Sequence, residues 1–174
     1  APLTDEHPLC RFPARYHFLK NNFKIVVPQK LICKTYQTYR QRIQSKKLSI
    51  VFSSYYLGSA SSVFGHSFLR FSGENENELF DSGVNFAAHP TTENPVLYAL
   101  YGLIGVFPAT YSPMPYYFKV REYNDFEARD LWSYELNLTP TQVSRVLDHL
   151  WELGNTHFQY YYFNENCSYH ILRA

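Results

Sequence analysis

The segment Asn164-Glu165-Asn166-Cys167-Ser168-Tyr169-His170 sets a cysteine directly behind residues that cap helices. If a helix begins there, Cys167 sits at the positive end of its dipole, which favours thiolate over thiol. The first N–H groups of such a helix have no partner inside it and can receive an oxyanion. Seven residues thus offer a nucleophile and half of an oxyanion hole. The plainer reading is a buried, inert thiol.

A thiol nucleophile needs a base, and His66 is the candidate, in Ser61-Ser62-Val63-Phe64-Gly65-His66-Ser67-Phe68-Leu69. A histidine that opens a strand behind a small-residue loop can be held rigidly toward a cleft. A third group must fix the imidazole, and Asp81 and Asn85 lie four apart on the next expected strand, on one face. Asn85 is favoured, because a neutral amide orients the ring without strongly stabilising imidazolium; Asp81 stays open. Cys167 and His170 with His66 would make three zinc ligands, but no Cys-x-x-Cys or His-x-x-x-His pair supports them. The other histidines lack ligand spacing, and no glycine loop cradles phosphate, so no metal or cofactor is expected.

These residues need a scaffold. Arg15–Leu19 reads as a short helical turn in a polar N-terminal arm, and 33–47 as a helix with a thin apolar stripe. Strands are expected at Leu48–Tyr56, His66–Ser72 and Glu78–Ala87, with a small-residue loop at Leu57–Val63 and a turn at Gly73–Glu78. Further strands are expected at Tyr116–Arg121 and Leu131–Leu138. Thr139-Pro140 is a helix start, and Val143, Val146, Leu147, Leu150 and Leu153 follow at helical spacing up to Gly154. Phe158–Phe163 reads as extended. The whole is α+β, an antiparallel sheet packed against helices. The last seven residues are too few for an isolated helix, so packing or further chain must hold them.

With 174 residues, 18% aromatic and 18% charged, the chain suits one folded domain and not a disordered one. Net charge is +1, yet residues 1–47 carry ten Lys/Arg against Asp5 and Glu6. Such a basic quarter suits an anionic surface or is simply solvated; no nucleic-acid module is present. No signal-peptide pattern opens the chain, as in a mature or trimmed product. Val96–Phe118 has no charge, but Pro108, Pro113 and Pro115 argue against a straight spanning helix. A lid, groove wall or interfacial segment fits, with Leu103, Phe107 and Met114 as acyl-binding candidates. In an oxidising compartment Cys10 and Cys33 can close a loop and leave Cys167 as the odd thiol.

The segments CRFPARYHFL (10–19), SSVFGHSFLRF (61–71), DSGVNFAA (81–88), REYNDFEARDLWSYEL (121–136) and YYFNENCSYHIL (161–172) resemble, in order, the periplasmic domain of the Lnb-type lipoprotein N-acyltransferases. The His-first, Cys-last order also resembles circularly permuted papain-like enzymes of the NlpC/P60 and lecithin:retinol acyltransferase group. The resemblance implies a thiol acyltransferase on the extracytoplasmic face of a membrane, anchored by segments outside this chain. Its acyl donor would be a lipoprotein or phospholipid, and its product a lyso-form lipoprotein. Cys167 maps to the family's nucleophile, His66 to its histidine and Asn85 to the strand asparagine; Tyr123–Trp132 match a block best read as structural. On this reading 1–174 is one domain, a basic, disulfide-tied region (1–47) and a catalytic core (48–174). Two other readings stay open: a cell-wall or amide hydrolase with the same Cys-His pair, and an exported binding domain whose Cys167 is merely buried.

Overall fold

The computed structural model describes residues 5–23, 32–43, 45–56, 65–73, 77–123 and 129–174. The small-residue loop expected at 57–63, the turn tip at 74–76 and residues 124–128 of the Tyr123–Trp132 block lie outside them. In chain order the elements are α1 (Pro8–Arg11), α2 (Pro13–Phe23), α3 (Lys34–Arg42), β1 (Lys47–Ser53) and β2 (His66–Ser72). A 3-10 turn (Glu78–Phe80) precedes β3 (Ser82–Ala88), α4 (Pro95–Ile104), β4 (Phe107–Pro115) and α5 (Tyr116–Arg121). Then come β5 (Leu131–Glu135), α6 (Pro140–Gly154), β6 (Phe158–Tyr160) and α7 (Cys167–Arg173). The strands form one sheet in the order β5-β1-β2-β3-β4-β6, antiparallel throughout.

Alternation along the strands gives each sheet face its own core. Leu69, Phe71, Val84, Phe86, Ala109 and Tyr111 meet Val143, Leu147 and Leu150 of α6 and Ile171 of α7. On the opposite face Val51 and Phe68 are covered by Tyr116 and Tyr123, with Val120 and Leu131 alongside. Each fully buried side chain of this size contributes about 1.5–3 kcal/mol. A complete capping box starts α6, Thr139 and Gln142 satisfying each other's backbone N–H.

The basic N-terminal region is tied down rather than free. The Cys10–Cys33 disulfide joins α1 to the start of α3. Arg15 pairs with Glu152 at 3.1 Å, Arg40 with Asp148 at 3.4 Å, and the Tyr36 hydroxyl donates to Asp148 at 2.5 Å. Part of the positive charge is therefore matched by buried acids of α6.

Four sequence expectations change. The turn at Arg15–Leu19 is part of the longer α2. The third strand begins at Ser82, because Glu78–Phe80 is the 3-10 turn. Tyr116–Arg121 is helical, since Tyr116, Val120 and Tyr123 lie three and four apart and pack as one stripe on Phe68 and Val51. Val96–Phe118 is not one segment: Gly105, at φ 74°, ends α4, and the chain enters the sheet as β4. No helix among the described residues is long and apolar enough to cross a membrane.

Candidate functional site

The site begins with a break in the sheet. β1 and β2 pair along their full length, from Lys47–Ser72 to Ser53–His66. β3 and β4 pair from Ser82–Pro115 to Ala88–Ala109. Between β2 and β3 only Leu69–Val84, Arg70–Gly83 and Phe71–Ser82 are partners. The two middle strands thus part at the His66 end of β2, and the N-terminus of α7 docks there. Ser67 Oγ and Ser168 Oγ meet at 2.9 Å, and the Tyr111 hydroxyl donates to the His170 carbonyl at 2.7 Å.

Cys167 is the first residue of α7, with Asn166 as N-cap accepting from the Tyr169 N–H at 3.2 Å. Its thiol is buried, 6% of the residue being exposed. Burial alone would push the thiol up. Hydrogen bonding and attraction to His66, the backbone N–H of Ser67 and the Tyr160 hydroxyl outweigh this and bring it down to about 7. The Ser67 N–H is available because no β3 partner takes it in the gap. The sulfur accepts a bond that a continued ladder would have used.

His66 reaches the thiol from the strand. Its Nε2 lies 2.5 Å from Asn85 Oδ1. An amide oxygen only accepts, so Nε2 carries the proton and Nδ1 keeps the lone pair. That leaves Nδ1 as the nitrogen able to take the thiol proton. The ring stacks on Phe68 at 6.1 Å, which holds its plane. Asp81, the other candidate orienter, lies just before β3 and faces Arg70 (2.6 and 2.7 Å) and Ser72 (3.2 Å). Asn85 is therefore the member of the pair that touches the imidazole.

His170 belongs to the core, not to the thiol. Its ring stacks on Phe86 at 4.2 Å with Nε2 buried and unpartnered, and burial pushes its pKa below the usual histidine range. Among the described residues no three His, Cys, Asp or Glu side chains gather as a metal site, so the grouping of Cys167, His170 and His66 does not form.

The three apolar candidates do not share a surface. Leu103, 49% exposed, is on the outer face of α4. Phe107 has no exposed surface and packs against Tyr98 at 5.3 Å and Tyr101 at 6.0 Å, so it supports the site without facing a substrate. Met114 lines a groove of about 870 Å³ with Tyr39, Pro113 and Trp151. That groove sits at the Ser82 end of β3, whose partner Phe71 is five residues along β2 from His66, roughly 16 Å at about 3.3 Å per residue.

α4 packs on the segment that leads into Cys167. The Tyr162 N–H donates to the Gly102 carbonyl at 2.9 Å, and a Cβ on Gly102 would stand 2.2 Å from the Tyr162 ring. Only glycine permits this approach. Val96, Leu97, Leu100, Leu103, Ile104 and Val106 remain exposed on the helix and the residue after its cap. Within the Tyr123–Trp132 block, Arg129 donates to the Ser54 carbonyl at 2.7 Å and lies 4.5 Å over the Tyr123 ring, a structural bridge between β1 and α5.

Two members of the site were not anticipated. One is the Ser67 N–H, which depends on strand pairing. The other is Tyr160, whose only sequence signal is the aromatic run FQYYYF ahead of the Asn-Cys pair.

Comparison with curated proteins and with solved structures returned no match. Residues 35–174 match the family model described as the Lnb N-terminal periplasmic domain, a span containing His66, Asn85, Tyr160 and Cys167. With most of its length covered by that match, the chain belongs to the Lnb N-terminal periplasmic domain family.

Proposed function

We propose that this periplasmic domain is a cysteine-nucleophile acyltransferase of permuted papain-like design. It moves an O-acyl chain of a diacylglyceryl lipoprotein to the lipoprotein's own N-terminal amine. The observation that carries the reading is the chain of contacts from the Cys167 thiol to His66 and on to Asn85. A thiol brought down to about 7 in a buried setting is what nucleophilic attack near neutral pH requires.

His66 Nδ1 takes the thiol proton and Cys167 Sγ attacks the ester carbonyl carbon. The tetrahedral intermediate collapses, the glyceryl oxygen leaves with the proton from His66, and a thioester remains. The lipoprotein α-amine then attacks the thioester carbonyl and gives its proton to His66. Sγ leaves as thiolate, and an amide and a lyso-form lipoprotein are released. Acyl chains need an apolar surface, and the exposed face of α4, a helix packed on the segment leading into Cys167, offers one. The region 1–47 serves as a disulfide-tied brace for the catalytic core 48–174.

Intact-mass analysis after incubation with a diacylated lipopeptide tests the proposal. A Cys167 acyl adduct and an N-acylated lyso-lipopeptide are expected, both lost in Cys167→Ser and His66→Ala. Release of free fatty acid or cleaved muropeptide instead would assign a hydrolase. An unreactive Cys167 would leave a binding domain.

A further inference from the structure

Oxyanion stabilisation by thiol enzymes needs two donors at the oxygen, and the Cys167 N–H at the start of α7 is one. That N–H is occupied: it donates to the Tyr160 hydroxyl at 3.3 Å. The phenol has a single hydrogen, and since its oxygen accepts from the N–H, that hydrogen is free to point elsewhere. It points to sulfur, for the Tyr160 side chain also hydrogen-bonds Cys167 Sγ. One hydroxyl therefore touches both the nucleophile and the neighbouring N–H donor.

We propose that the Tyr160 hydroxyl is the second oxyanion donor of this site, acting with the Cys167 N–H. This rests on Cys167 being the nucleophile. When Sγ bonds to a carbonyl carbon, negative charge leaves the sulfur and appears on an oxygen two bonds away. Rotation about the phenol C–O bond lets the hydrogen follow that charge. The Cys167 N–H, whose 3.3 Å bond to the phenol oxygen is long, can share its hydrogen with the oxyanion. No backbone movement is needed.

The ring is held for such a task. Tyr160 is in β6 and pairs with Phe107 of β4, so the buried Phe107 braces it from the next strand. It stacks on Phe86 at 6.1 Å and meets the Tyr162 ring edge-on at 6.0 Å. Burial and the adjoining Cys167 hold the phenol protonated well above its usual range, so it remains a donor at any working pH. Ser67 does not compete for the role, because its N–H approaches the sulfur from the sheet gap.

Tyr160→Phe removes one oxygen and is the test, read out on whole protein with p-nitrophenyl butyrate and with iodoacetamide. The rate of acyl-enzyme formation is expected to fall roughly 100-fold, as for loss of one oxyanion donor, with KM within about twofold. The inflection of the alkylation rate against pH is expected to rise by about half to one unit. An acylation rate within about threefold of wild type, on a wild-type thiol that does react, overturns the Tyr160 assignment alone. A wild-type thiol that neither alkylates nor acylates overturns the nucleophile reading, and this assignment with it. If Tyr160→Phe fails to fold, 3-fluorotyrosine at position 160 strengthens the donor instead. The inflection should then move down, and an unchanged inflection overturns the assignment.

Discussion

Replacing His66 with alanine is the perturbation that separates a tuned nucleophile from a buried thiol. With its pKa near 7, half of Cys167 is thiolate at pH 7. An ordinary cysteine near 8.5 is about 3% thiolate there, roughly a 15-fold difference. Intrinsic nucleophilicity falls with thiol pKa and takes back about fivefold, leaving a net advantage of about threefold. At pH 5.5 the fractions are about 3% against 0.1%, and the net advantage is about sixfold. The sign is set by the lowered pKa: thiolate appears as pH climbs through 7, below the ordinary range. Without His66, only the Ser67 N–H and the Tyr160 hydroxyl oppose burial, and the inflection should move to 8.5 or higher. The assay is the rate of carbamidomethylation of Cys167 by mass spectrometry between pH 5 and 10. The missing ring also opens the site to reagent, so the inflection decides, not the absolute rate. An inflection in H66A within 0.3 unit of wild type, or a wild-type inflection at 8.5 or above, refutes the reasoning.

The remaining predictions probe the supports. Asn85→Ala removes the acceptor that fixes the imidazole tautomer, and acyl-enzyme formation should slow 10- to 100-fold while a urea melt moves little. Asp81→Ala leaves Arg70, 16% exposed, with the exposed Glu78 carboxylate as its remaining ion-pair partner, and should destabilise the fold by about 1–3 kcal/mol in urea while the alkylation inflection stays in place. Reducing Cys10–Cys33, which spans 23 positions, should cost about 3 kcal/mol by the loop-entropy relation, read from denaturation with and without reductant. Gly102→Ala puts a Cβ into the Tyr162 ring and should destabilise by about 1–3 kcal/mol in the same melt.

Local chemistry in the sequence found β2, the Thr139 cap of α6 and the Asn166–Cys167 helix start, because each depends on neighbours in the chain. It failed where tertiary contacts decide. Pro108, Pro113 and Pro115 argued against a straight spanning helix, and no strand was expected there, yet they lie in β4. Among the described residues β6 covers only Phe107–Ala109, so Pro113 and Pro115 lie where that flank of β4 has no further strand to donate to. Tyr116-Tyr117-Phe118 has strand propensity, but burying Tyr116, Val120 and Tyr123 together against Phe68 requires helical spacing. The helix α2 shows no apolar stripe to announce itself; its ion pair from Arg15 to Glu152 supplies part of the docking.

The site itself was legible as residue types and illegible as an arrangement, and the difference lies in the unpaired half of β2 and β3. By alternation His66 and Asn85 share the sheet face of Phe68, whereas Ser67 and Leu69 face α6 and α7. In an unbroken sheet a thiol on α7 would meet the Ser67 side of β2 and be screened from the imidazole. Because pairing stops at Leu69–Val84, the thiol reaches the level of the sheet, where the Ser67 N–H and His66 both contact it. A change that zipped the gap shut would cost the thiol its donor and its base together, with every catalytic side chain still present. On the proposed mechanism the reactivity of Cys167 comes from the geometry of the gap more than from any single residue.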